Sequence, residues 1–217
     1  MKMGYLAAAA LIGLKVVAGD AQTQSIRDIR GNVIAQVTSG ELQNYRQWTS
    51  EVVEASKRND AAQILVRKAD RKLDAYQHGL LIHSYAADLG TDCPDLRNKK
   101  TDKDGCTPEG VFDIIDNLGN SYLHRSFLLS YPRMEDLVQA ISDRRADPRA
   151  ILNQIYTLKE KRTPAFDTPI GGPIYIDGEG GRGRDWTDGS ISISNAAIDE
   201  ISPLVEKGKT KVFVVRQ

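Results

Sequence analysis

The sequence is poor in the residues from which chemistry is most easily read: of 217 residues, two are cysteine and three are histidine. No Cys or His stands close enough to complete a ligand set with Cys93 or Cys106, which argues against a Cys/His metal centre. Charge of one sign is lacking as well. The 29 basic and 29 acidic residues cancel, so overall charge gives no case for nucleic acid or a strongly anionic surface as partner. The apolar run Tyr5–Leu14 stops short of the roughly 20 residues that a membrane span needs, and Lys15 interrupts it. No internal repeat or low-complexity tract is evident, and the length suits one domain with a real core better than two.

Lys2, the apolar run and the small residues of Val16-Val17-Ala18-Gly19-Asp20-Ala21 form the pattern of a secretory signal. Residues 1–21 are therefore expected to be a signal peptide, and the protein is expected to be periplasmic or secreted. A buried helix or membrane anchor is the alternative. In an exported protein, Cys93 and Cys106, both in a polar segment, read as a disulfide closing a surface loop, worth about 3 kcal/mol on the chain-entropy estimate. In a cytosolic protein they would be two free thiols.

The apolar stretch Ile26–Val37 is interrupted by Gly31-Asn32, a good turn dipeptide. Leu42, Tyr45, Trp48, Val52 and Ala55 recur at spacings of three and four, which predicts an amphipathic helix over 41–57. From Ala62 the pattern changes to short β-prone runs: 63–67, 72–76, the turn Gln77-His78-Gly79, 80–85, 111–115 and 122–131. Helices are expected over 134–142 and 148–159, the second capped by Asp147 with Pro148 in its first turn. Strands return at 173–176, 191–194 and 210–215, with a helix from Asn195 that Pro203 bends or divides. This predicts an α+β fold with a mostly antiparallel sheet. The expected organisation is a leader (1–21), an N-terminal helical extension (22–61) and one domain (62–217).

Several motifs follow in a particular order. Ile64–Tyr76 with Gly79 and Asp88-Leu89-Gly90 comes first, then Gly105-Cys-Thr-Pro-Glu-Gly110 and Leu129-Ser-Tyr-Pro132. Last come Ile174-Tyr-Ile-Asp-Gly178 and Asp185-Trp-Thr-Asp-Gly-Ser-Ile-Ser-Ile-Ser-Asn195. Together, over roughly residues 62–216, they resemble the catalytic domain of the L,D-transpeptidases (YkuD-like), secreted bacterial enzymes that cross-link peptidoglycan. The resemblance implies that family's sheet or sandwich fold and an envelope polymer such as peptidoglycan as partner. No cofactor and no metal, no nucleic acid partner, and no membrane span after signal cleavage are expected.

The family usually reads Ile-His-Gly, then Asp-Trp-Thr-x-Gly-Cys-Ile. The resemblance therefore places Asp177 at the family's histidine and Ser190 at its nucleophilic cysteine. In the family the thiolate attacks a stem-peptide carbonyl, the histidine takes the thiol proton, and backbone N–H groups hold the oxyanion. A thiol ionises near pH ~8.5, whereas a serine hydroxyl needs a strong base and an ordinary aspartate titrates near ~3.9. Loss of nucleophile or base in such sites removes about 10⁴ to 10⁶ of rate.

Two readings of the site stay open. In the first, the fold and the groove persist without family-type catalysis, with Gly178, Trp186, Thr187 and Gly189 preserving turn geometry or binding, and Arg133 with the helices to Lys159 covering the groove. A purely structural role for Trp186 and Asn195 stands beside it. In the second, carboxylates near Ser190 (Asp177, Glu179, Asp185 and Asp188) support changed acid/base chemistry or hold a cation; the bland alternative is a solvated acidic loop balanced by Arg182 and Arg184. The histidines, His78 in a turn, His83 in a strand and His124 in Tyr122–Ser126, are given no catalytic role.

Overall fold

The computed structural model describes residues 15–18, 23–28, 32–38, 45–160, 162–163 and 165–216. Most of the segment read as a leader lies outside the described residues. Within that segment, Lys15–Ala18 forms strand β1, antiparallel to β2 (Thr23–Arg27), and β3 (Val33–Thr38) completes a three-stranded sheet. Asn32, of the expected turn dipeptide, sits between β2 and β3, its backbone and side-chain N–H groups both bonded to the Asp28 carboxylate at 2.9 Å. The N-terminal extension thus begins as sheet and becomes helical over α1 (Tyr45–Ser56).

The main sheet has eight strands: β4 (Gln63–Arg67), β5 (Lys72–Gln77), β6 (Leu80–Ala86), β7 (Gly110–Ser121), β8 (His124–Leu129), β9 (Tyr175–Asp177), β10 (Ile191–Ser192) and β11 (Lys211–Val215). Their order is β10-β9-β8-β7-β11-β4-β5-β6, parallel only at β10–β9 and β11–β4. The sheet curls until its ends meet. Just past β6, Asp88 and Ser192 of β10 exchange backbone hydrogen bonds, both at 2.8 Å. The closure encloses one apolar core to which both halves contribute, with Ile64 and Leu73 from one side and Phe127, Ile176 and Ile191 from the other all fully buried. Each such side chain gains roughly 1.5–3 kcal/mol over exposure.

Helix α4 (Asn195–Ile201) packs Ile198 and Ile201 into that core, and a 3₁₀ turn through Pro203 follows it, as the proline implied. Helix α1 covers the other side of β4 and β11 through Val52, against Leu65 and Phe213. A third cluster joins α2 (Met134–Ser142), α3 (Leu152–Lys159) and Ile34 of β3. The fold is therefore α+β with a mostly antiparallel sheet, as expected.

Some boundaries differ from the sequence reading. β7 runs on to Ser121, well past residue 115, because it pairs with β8 in a long hairpin. α3 starts at Leu152 and not at Pro148: Ile151, at φ −107°, ψ 2°, is outside the helical range and fully buried. Asp147 instead caps a turn, its carboxylate accepting the Arg149 N–H at 2.8 Å. Ile151 is the residue that precedes the first helical turn, and it packs in one cluster with Leu137 and Ile141 of α2.

Candidate functional site

The two positions singled out in the sequence, Asp177 and Ser190, come together at one corner of the sheet. β9 ends at Asp177, and parallel pairing with β10 sets Ser192 opposite Asp177 and Ile191 opposite Ile176. Ser190 immediately precedes β10. Each of the two side chains is already engaged elsewhere. The Ser190 hydroxyl accepts the Tyr175 backbone N–H at 3.1 Å, and the Ser126 hydroxyl donates to Asp177 Oδ1 at 2.6 Å. Ser121 Oγ lies 2.7 Å from Ser126 Oγ, so hydroxyls of the β7–β8 hairpin form a chain leading to the buried carboxylate. No hydrogen bond joins Ser190 to Asp177 among the described residues.

The turn before Ser190 is shaped by Thr187. Its hydroxyl donates to the Ser190 carbonyl at 2.6 Å and accepts the Gly189 N–H at 3.2 Å. Gly189 has φ +119°, and a Cβ there would sit 2.7 Å from the Cys106 carbonyl oxygen. Cys106 is disulfide-bonded to Cys93, 13 residues earlier, so the closed loop buttresses the Ser190 turn from behind. On the Asp177 side, Gly178 is wedged between Asn195 Oδ1 and the Leu123 carbonyl, each 2.6 Å from where a Cβ would stand.

The remaining candidates divide according to what already holds them. Glu179 accepts from Asn195 Nδ2 at 2.7 Å and from Arg182 at 3.0 Å, while its own N–H donates to Asn195 Oδ1. Asp185 takes the Arg71 guanidinium and the Leu89 N–H at 3.0 Å. Asp188 is exposed and has no side-chain partner among the described residues. Arg182 stacks over the Trp186 ring at 5.2 Å, and the buried Trp186 Nε1–H has no partner among the described residues. Arg133 caps α2, bonds the Asp136 carboxylate and the Val111 and Glu109 carbonyls, lies over the Phe112 ring at 4.6 Å, and lines a small cavity with Tyr131 and Glu135. Its fork is used up inside the protein.

Each histidine faces a carboxylate: His124 Nε2 lies 2.9 Å from Asp199, His83 Nδ1 3.3 Å from Glu200, and His78 4.0 Å from Asp60. None of the three is hydrogen-bonded to Ser190 or Asp177 among the described residues. Burial compensates in part. Desolvation pushes the Asp177 carboxyl up to about 6, against the pull of the Ser126 hydrogen bond, so this aspartate is a better proton acceptor than its ordinary value implies. Among the described residues no group of three or more His, Cys, Asp or Glu is placed to hold a metal ion.

Two contributors were missed in the sequence. Ser126 lies 51 positions before Asp177, and only the β8–β9 register brings them together. Asp88, fully buried, accepts the backbone N–H groups of Arg182, Gly183 and Arg184 at 2.9–3.3 Å and so folds the loop beside the site. A charged residue between Ala87 and Leu89, both buried, was the available signal.

Residues 61–214 match the family profile YkuD, described as the L,D-transpeptidase catalytic domain. Among solved structures, a point mutant of the helical cell shape determining protein Pgp2 of Campylobacter jejuni is 20% identical, with 83% of this chain aligned to 57% of that one at a TM-score of 0.50. Bd1075 of Bdellovibrio bacteriovorus is 20% identical over 73% of this chain and 49% of its own (TM-score 0.45). An L,D-transpeptidase from Xylanimonas cellulosilytica is 14% identical over 73% and 62% (TM-score 0.38). The chain spans about half to three fifths of the length of these structures. No curated protein sequence matches it.

Proposed function

Because this chain belongs to the L,D-transpeptidase catalytic domain family, we propose that it is an exported, peptidoglycan-associated protein that keeps the family's groove and has lost Cys-dependent acyl transfer. The observation that carries the reading is the state of Ser190. Its hydroxyl accepts from Tyr175 N–H, and neither Asp177 nor any histidine is hydrogen-bonded to take its proton. An unactivated serine is a poor nucleophile, and catalysis by a base requires that base within hydrogen-bond reach of the proton it removes. The Thr187 and Gly189 turn and the Gly178–Asn195 wedge meanwhile keep the backbone around the site in one shape.

The test is co-sedimentation of the mature protein with peptidoglycan sacculi, together with mass spectrometry of stem-peptide products. Binding without turnover is expected. Products formed by the wild type and abolished in Ser190→Ala would overturn the loss of catalysis, and absence of sacculus binding would overturn the association.

One observation favours a second reading, an enzyme with changed chemistry acting on an envelope glycan or peptide. The Asp177 carboxyl, at about 6, is suited to proton transfer near neutral pH. Glu179 and Asp185 are held by Asn195, Arg182 and Arg71, so only Asp188 is left to act with Asp177 as a pair. Products from glycan fragments that vanish in Asp177→Asn and Asp188→Asn would select this reading.

A further inference from the structure

We propose that the cavity between α3 and the segment 165–168 binds the acetamido group of an amino sugar, its carbonyl taking the orphaned Nε2–H of Gln154 and its N–H donating to the Thr157 hydroxyl oxygen. The cavity has a volume of about 280 Å³ and is lined by Ala150, Ile151, Gln154 and Thr157 of the α3 stretch and by Ala165 and Asp167 of the segment that follows. It lies just under the roughly 300 Å³ at which drug-sized sites begin, a size for one small unit. None of its lining residues belongs to the Ser190 corner.

Gln154 is the residue that points to a ligand. α3 buries Leu152, Gln154 and Ile155, and the glutamine is only 4% exposed, although its type belongs mostly to the surface. Its Oε1 accepts the Ala165 backbone N–H at 2.8 Å, while its Nε2 is buried and has no partner among the described residues. The Ala165 bond fixes how the amide is turned, because a flipped amide would set N–H against N–H. A buried donor without a partner carries the whole cost of its desolvation, which an acceptor in the cavity removes. Thr157, three residues on, shares the helix face of Gln154. Its hydroxyl donates to the Asn153 carbonyl at 2.9 Å, so its oxygen is left to accept. The facing segment is held in place. The Thr168 hydroxyl donates to the Gly171 carbonyl at 2.6 Å, and the Asp102 N–H donates to the Pro169 carbonyl at 3.1 Å, tying the segment to the disulfide-closed loop.

The cavity therefore offers one fixed donor and one fixed acceptor beside the small apolar side chains of Ala150, Ile151 and Ala165. An anion would meet Asp167 and no lysine or arginine in the lining. A hydrocarbon would leave Gln154 Nε2 unpaired. A neutral amide satisfies both hydrogen-bonding groups, and the methyl of an acetamido group fills the apolar part. The acetamido assignment stands on this geometry alone. The choice of an amino sugar as its carrier rests on the reading of the chain as a peptidoglycan-associated protein.

The experiment is an NMR titration of the full oxidised chain with the methyl glycosides of N-acetylglucosamine and of glucose, and with N-acetylglycine amide, which carries the acetamido group without a sugar. The side-chain amide resonances of Gln154, identified by their absence in Gln154→Met, are expected to shift with the N-acetylated glycoside. The glucoside and the glycine amide are each expected to bind about three- to tenfold more weakly, the scale of one or two hydrogen bonds. Thr157→Val, nearly the same shape, keeps the Gln154–Ala165 bond and is expected to weaken the N-acetylated glycoside by a similar factor, which holds the test open if Gln154→Met folds poorly. Equal affinity for the two glycosides, or no shift at Gln154, leaves that donor to water and overturns the site. A glycine amide that binds as tightly as the sugar overturns the sugar as carrier. Sacculi that still co-sediment while Gln154 stays unmoved sink this site and leave the envelope reading standing; a glycoside that moves Gln154 without sacculus binding does the reverse.

Discussion

Asp177 is a carboxylate held in the core with one hydroxyl for a partner. Its pKa of about 6 exceeds the ordinary 3.8, so the folded state binds the proton more tightly than the unfolded chain does. The resulting stabilisation is complete below about pH 4 and is lost as pH rises through about 6. At about 1.36 kcal/mol per unit the swing is about 2–3 kcal/mol. Asp177→Asn, which keeps an acceptor for Ser126, is expected to flatten this part of the pH profile and to be more stable than the wild type above pH 7. Chemical denaturation between pH 4 and 8 measures both effects. Asp88→Ala makes the opposite case. It leaves three loop N–H groups without their acceptor, and a loss of about 2–4 kcal/mol in urea unfolding is expected. Asp177 and Ser190 were singled out because motif position is a local property. Ser126 was not, because nothing near it in the chain points to residue 177.

Among the elements, the turns on either side of the site depend on close approach. Gly178→Ala would put a methyl 2.6 Å from both Asn195 Oδ1 and the Leu123 carbonyl, and a loss of about 1–3 kcal/mol is expected from thermal unfolding. The disulfide loop is stitched down from below by Lys68, which is fully buried and donates to the Arg97 and Thr107 carbonyls and to Glu109. Reducing Cys93–Cys106, or replacing both residues by serine, is expected to cost about 3 kcal/mol. A fall in Tm on adding reductant, absent in the double serine variant, is the check. The strands themselves were readable from alternation and turn residues: His78 and Gly79, at φ +52° and +81°, form the hairpin turn their types favour. The extent of β7 and the start of α3 were not, since pairing with β8 and burial of Ile151 override local preference.

For the whole molecule, the envelope reading carries a prediction of its own. The full chain expressed in a Gram-negative host is expected in the envelope fraction, shortened near residue 21 and so without β1 (Lys15–Ala18), leaving β2 and β3 as a hairpin, and with Cys93 and Cys106 oxidised. N-terminal sequencing and thiol labelling check this, and a full-length, reduced product in the cytosol would refute it. Sequence alone determined the family resemblance, the α+β class and the order of most elements. These are written in composition, periodicity and motif spacing, each of which is contained in a short stretch of chain. Only the tertiary structure decided that Ser190 bonds Tyr175, that Asp177 meets Ser126 and that Arg133 is spent inside the protein. The same holds for Gln154 and Ala165, which come to line one cavity. Those outcomes depend on sheet register and closure between distant segments, and on desolvation, which no single stretch of sequence specifies.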